Sequence, residues 1–522
     1  MHTLKNPLSF RPSSRPTSPA PPSRPDSGIG MERSKPLTKL SLNNLRRASP
    51  APLPSPPLAP LIQDGSYLEM LSLKLSEAVS KAVAQPFGSP AVSDVIGGKR
   101  PIPIGRGSAL GALIISELKS ANGNPHLHRA IVRSLQRPLS VLFSNLSTMM
   151  VPLLSSPAFL TPSAPTTQSP NSNAVQLHAL AIAALAGELL EAFDDLHLGF
   201  DNDARGDGLK AIREGLVSLV HRVVNPLIGG IRNELVPVLD ALELSNPAKV
   251  IPGSKHGLLH SSIVTLQSII PVYTQALKRY TSSRTAQNLL APFVISLVWR
   301  TMVAICHRPA TTSSPPSSPV PQMRKRRGSP SATPPLTPPP TRFTIKLPSS
   351  RPPSPPVAAP VLPLSPAADV RALVDLFITL PVPVADTEGG RLAREAVDEA
   401  LNGLRALADL FDMVTHLIRA NDGLVEDKAL VEDKTLELQR LTEKIPTLIA
   451  LPILLRAQGL DIHSETVLGL SEEDYRNSCL TGFGRADECG TLVGMRVYEY
   501  LCTSEPIRSV LLAWLEMEII DE

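Results

Sequence analysis

Residue types that carry chemistry are present in this chain, but their spacing rarely joins them. Cys306, Cys479, Cys489 and Cys502, together with 11 histidines, are the candidate metal ligands and nucleophiles. A zinc site needs clustered ligands, commonly a C-x-x-C knuckle. Cys479, Cys489 and Cys502 are separated by 10 and 13 residues, so with His463 nearby they read as buried free thiols. His126 and His128 stand two apart, which sends them to different sides of a helix. No nucleophile–base pair, carboxylate pair or cofactor motif has a recognisable spacing. No catalytic, cofactor-binding or metal-binding residue is therefore assigned, and the sequence is read as that of a non-enzyme.

Three loops come near to known ligand motifs. Gly97-Gly98-Lys99-Arg100 lacks the hydroxyl residue after lysine and the upstream glycine of a phosphate loop. Gly105-Arg106-Gly107-Ser108 precedes a helix expected to start at Ser108, where a turn with an N-cap is the reading and an anion the alternative. Asp201-Asn202-Asp203 opens like a calcium loop. However, Arg205 takes the fifth position, and Ile212 stands where a bidentate Glu belongs.

The chemistry the sequence does offer is modification. Ser49 follows Arg46-Arg47 and precedes Pro50, which suits basophilic and proline-directed kinases. Ser314, Ser318, Ser329, Thr333, Thr337, Ser354 and Ser365 each precede a proline. Arg324-Lys325-Arg326-Arg327 is a candidate nuclear-import or polyanion-contact run. Proline-rich runs at 334–340 and 351–356 offer extended ligands to SH3- or WW-type modules.

Composition explains where these groups lie. Of 55 prolines, 32 fall in residues 1–60 and 308–365. Proline-rich, polar segments cannot bury a core, so both are expected to be disordered arms. Residues 1–60 hold nine Lys/Arg against two acids, and residues 308–365 hold eight against none. Residues 366–522 hold 14 Lys/Arg against 29 acids. Phosphates, each adding about −1.5 to −2 charge, would turn the second arm from cationic towards neutral.

Two helical bodies are expected, at 61–307 (core 173–307) and 366–522. Ser66-x-x-Glu69 reads as a capping box opening the first helix. Helices are expected near 108–120 and 126–154, then five more starting near 174, 208, 231, 258 and 284. Leu209, Ile212, Leu216, Leu219 and Val223 mark the second of these five, and Ile231, Leu235, Val238 and Leu242 the third. The apolar run Leu289–Cys306 should be the central helix. In the second body, Val397, Leu401, Leu404, Phe411, Val414 and Ile418 predict a helical hairpin or short coiled coil. The fold class is all-α, either an irregular bundle or a degenerate HEAT/ARM-like repeat stack, plus an acidic helical body.

Four cysteines in 522 residues indicate a reducing compartment. No uninterrupted apolar run reaches membrane-spanning length, the nearest being broken by Arg300. The expected location is the cytoplasm, the nucleus or both. The expected role is a scaffold or adaptor that binds protein partners through its helical bodies, with phosphorylation of the arms as control. The alternative is a nuclear, chromosome-associated factor whose arms touch nucleic-acid phosphates nonspecifically. An enzyme whose site leaves no sequence trace ranks below both.

Overall fold

Apolar residues at three- and four-residue intervals make helix of almost every segment seen in the computed structural model. The structure describes residues 61–88, 94–200, 208–244, 259–309, 365–421, 428–460, 462–504 and 510–520. Among them there is no β-strand, and the chain is all-α. The first segment contains α1 (Leu61–Val83), α2 (Arg106–Ser120), α3 (Pro125–Leu154), α4 (Ala174–Asp195), α5 (Leu209–Asp240), α6 (Ser261–Tyr280), α7 (Arg284–Gln287) and α8 (Leu290–Cys306). The second contains α9 (Pro366–Phe377), α10 (Glu388–Asn421), α11 (Lys428–Thr442), α12 (Thr447–Ala457), α13 (Ser464–Leu468), α14 (Glu472–Cys479), α15 (Phe483–Ser504) and α16 (Val510–Ile520).

Two helix starts differ from expectation. α1 begins at Leu61, so Ser66 stands inside it and caps nothing. Asp64 and Gly65 do not delay the start, because an interior glycine costs only about 1 kcal/mol. The helices expected near 208 and 231 are one, since α5 runs unbroken through Pro226 and Pro237. A proline removes one backbone hydrogen bond, at about 3 kcal/mol. Around Pro226, the side chains of Val223, Val224, Leu227 and Ile228 are buried. Each contributes about 1.5–3 kcal/mol, which outweighs the break.

α8 is central, as its apolar composition demands. It packs against α5, α7, α9, α10 and α12, and Phe293, Val294, Val298 and Met302 are fully buried. Its neighbours come from both halves of the chain, so the two helical segments share one hydrophobic core. Polar contacts fix the seam. The Trp299 indole donates to the Leu480 carbonyl at 2.8 Å, and its ring lies 4.7 Å from that of Phe483. α10 crosses close by: a Cβ on Gly403 would meet the Lys444 carbonyl oxygen at 2.8 Å.

α4 and the α7–α8 region (Arg284–Cys306) are long and apolar enough to cross a membrane by length and composition. Both are largely enclosed by neighbouring helices. Arg300, half-exposed within that region, makes a bidentate pair with Asp240 at 2.6 and 3.0 Å.

Candidate functional site

The loops resembling ligand motifs resolve first. Gly97 and Gly98 both have positive φ, and Ile96 and Lys99 exchange backbone hydrogen bonds at 3.0 and 3.1 Å. This is a two-residue hairpin turn of the kind glycine pairs favour. Gly105, also at positive φ, leads into α2, whose N-terminal amides do bind an anion, but one supplied by the chain itself. The Glu188 carboxylate accepts from the Gly105 and Gly107 amides at 2.8 Å and from the Ser108 amide at 3.1 Å. Gly107 is required there, because a Cβ would meet the Leu185 carbonyl oxygen at 2.4 Å. The Asp201–Asp207 loop lies outside the described residues.

The most polar region of the interior lies where α8 ends. Arg308 is 8% exposed and Asp369 is fully buried; they pair at 2.6 Å. Asp369 also accepts the His260 amide at 3.1 Å, and the Arg308 Nε donates to the Leu242 carbonyl at 2.8 Å. His260 caps α6: its Nδ1 accepts from the Ser262 amide and its Nε2–H donates to the Leu244 carbonyl at 2.8 Å. Burial holds this imidazole below its ordinary range, in keeping with a neutral ring whose two nitrogens are both engaged.

Arg456, from α12, donates to the carbonyls of Cys306 and Arg308. It thereby caps the C-terminus of α8, the negative end of that helix. Arg476, from α14, grips Glu243 through two bonds of 2.5 and 3.1 Å and Glu472 at 2.8 Å. Of these groups, Glu243, Arg456 and Glu472 line an open cleft of about 570 Å³ between the two helical segments. Its walls include Glu243, His307, Pro309, Arg456, Glu465 and Glu472.

Cys306 and His307 also face this cleft, with Sγ 3.0 Å from Nδ1. They do not form a nucleophile–base dyad. Nδ1 lies 2.9 Å from the Val303 carbonyl, a contact that needs a proton on Nδ1, so Nδ1 cannot take one from the thiol. Burial pushes the Cys306 thiol up to about 12. A thiolate, the reactive form, is therefore scarce at neutral pH.

Of the remaining cysteines and histidines, Cys479 and Cys489 lie against one another, and no third ligand among the described residues joins them. Cys479 and Cys489 are buried as expected, whereas Cys502 is exposed on the outer face of α15. His463 is 66% exposed and pairs with Glu465 at 3.7 Å. Asn124 caps α3 by accepting from the His126 and Leu127 amides. No group of three metal-ligating side chains exists among the described residues.

Of the modification candidates, Ser49, Ser314, Ser318, Ser329, Thr333, Thr337 and Ser354 lie outside the described residues, as do Arg324, Lys325, Arg326 and Arg327. Ser365 is described. It is exposed at the N-cap of α9, followed by Pro366, and its hydroxyl makes no capping bond.

The buried network escaped sequence reasoning because its partners are 61, 148 and 233 residues apart. One signal was available. Asp369 falls on the same helical face as Leu373 and Phe377, and a carboxylate on an apolar face requires a partner.

No protein-family model matches this chain, and comparison with curated proteins and with solved structures found no match.

Proposed function

We propose that this chain is a non-enzymatic helical scaffold whose junction cleft receives a segment of a protein partner, under control of the phosphorylatable linker. One observation carries the reading. Arg308 opens the linker and Asp369 follows it, so their buried pair brings the linker's two ends together. Pro309, where the linker leaves, is part of the cleft wall. Phosphates at Ser314, Ser318, Ser329, Thr333, Thr337, Ser354 or Ser365 would thus be introduced on a loop closed at the cleft, changing the field a partner meets. The same linker offers its proline-rich runs to SH3- or WW-type modules, and Arg324–Arg327 to an import receptor. Residence in cytoplasm and nucleus follows from that reading. We take the body as an irregular bundle rather than a HEAT/ARM-like stack, since α5 touches α3, α4, α6, α7 and α8 and not only sequence neighbours.

The test is affinity purification from native cells, with nuclease and with or without phosphatase, read by mass spectrometry. The Glu465→Lys/Glu472→Lys variant reverses charge at the cleft. Partners lost from that variant, or exchanged on phosphatase treatment, support the reading. A protein that purifies without partners overturns it.

A further inference from the structure

Away from the cleft, the least balanced charge in the fold lies on α3. From Leu118 to Gly187 the chain holds no Asp or Glu, yet it holds Lys119, Arg129, Arg133 and Arg137. The three arginines are four residues apart. They therefore form a row along one edge of α3, about 6 Å between successive positions. All three are exposed, and none has an ion-pair or hydrogen-bond partner among the described residues. Val141, one turn further along the same edge, is 49% exposed.

Four carboxylates of the surrounding helices are committed elsewhere. Glu117 accepts from Tyr67 and Lys74, both at 2.7 Å. Glu188 holds the α2 amides, Asp194 holds Arg213 at 2.5 Å, and Glu214 faces Lys210 at 4.0 Å. Arginine is also the cation best suited to fixed carboxylate partners, because its planar fork loses little freedom on pairing.

We infer that the edge Arg129–Arg133–Arg137–Val141 docks an acidic helical segment of a partner protein. That segment would carry Asp or Glu at four-residue intervals and an apolar residue one turn beyond. Charge complementarity and the shared helical repeat carry the assignment. A nucleic acid fits less well. The one aromatic residue of α3, Phe143, is turned against Gly215 of α5 and cannot stack with bases. This edge is separate from the junction cleft, so either proposal can fail alone.

The probe is a fluorescein-labelled, Ala-rich helical peptide with Glu at successive four-residue intervals and Leu one turn beyond. Its binding to the full chain is followed by fluorescence anisotropy at low and raised salt. Binding should weaken with salt. The Arg129→Glu/Arg133→Glu/Arg137→Glu variant, shown to be folded by circular dichroism, should bind about tenfold more weakly or worse. The same peptide with Lys in place of Glu should prefer that variant, and Lys99→Glu on the exposed hairpin should change nothing. No binding at low salt, or equal binding by the triple variant, overturns the inference. It also fails if a single-stranded oligonucleotide displaces the peptide and itself depends on the three arginines. Peptide binding that appears only in Asp201→Asn/Asp203→Asn/Asp207→Asn would likewise overturn it, by assigning the row to the chain's own acidic connection.

Discussion

Replacing Glu188 by alanine removes the acceptor of three backbone amides at once, those of Gly105, Gly107 and Ser108. The amides differ in what they lose. Gly107 is buried, and an unsatisfied buried amide costs about 1–3 kcal/mol. Gly105 and Ser108 are exposed, so water replaces the carboxylate and only the capping and helix-dipole part is lost, about 0.5–1 kcal/mol each. The expected destabilisation of α2 is therefore about 2–5 kcal/mol. Glu188→Gln keeps one acceptor oxygen without the charge and should cost about half as much. Hydrogen exchange over residues 105–120 is the direct assay, because it reads local opening. A loss of 2 kcal/mol corresponds to about 30-fold faster exchange. Inorganic phosphate should then slow exchange in the alanine variant and not in the native chain, since the vacated amides form an anion site at a helix N-terminus. Unchanged exchange in Glu188→Ala, or a change in urea stability below about 0.5 kcal/mol, would refute the view that this carboxylate organises the N-terminus of α2.

The adjacent glycines of α5 should respond in opposite directions. Gly229→Ala has open space around its Cβ and should stabilise by up to about 1 kcal/mol, whereas a Cβ on Gly230 would meet the Ser163 carbonyl oxygen at 1.8 Å, so Gly230→Ala should lower the urea midpoint. Asp369→Ala strands the buried Arg308 charge and should cost about 3–5 kcal/mol in denaturant unfolding, more than replacing both residues by apolar ones. With native protein at pH 8, iodoacetamide should label Cys502 and spare Cys306, whose thiol burial pushes up to about 12; mass mapping of the alkylated cysteines decides. Burial lowers the folded-state values of His260 and His307 below the ordinary 6.5. Their contribution is complete above pH 6.5 and is lost as pH falls from there towards the folded values, so thermal stability should decline on acidification through that range.

The helical class and most helices were legible in the sequence because an amphipathic face repeats locally. Leu216, Leu219 and Val223 announce a buried face from about two turns, and the cap at Ser471, which accepts the Asp474 amide at 3.1 Å, is written within four residues. The continuity of α5 was not legible. Pro226 reads as a break until the burial around it is known, and burial belongs to the tertiary structure.

The site was less legible than the fold. The sequence by itself determined an all-α chain, the positions of its apolar faces, and an uneven division of charge and proline that sets residues 308–365 apart. Only the tertiary structure decided that α8 is shared by both helical segments, that Arg308 finds Asp369, and that Arg456 caps α8 from the far side of the linker. It also decided that Glu188 fills the anion site at the start of α2. The physical reason is one of range. Helix propensity, capping and periodicity act over a few residues and are printed in the local order of side chains. A buried charge needs a partner, but nothing in its own neighbourhood states which of the distant opposite charges the packing will bring to it.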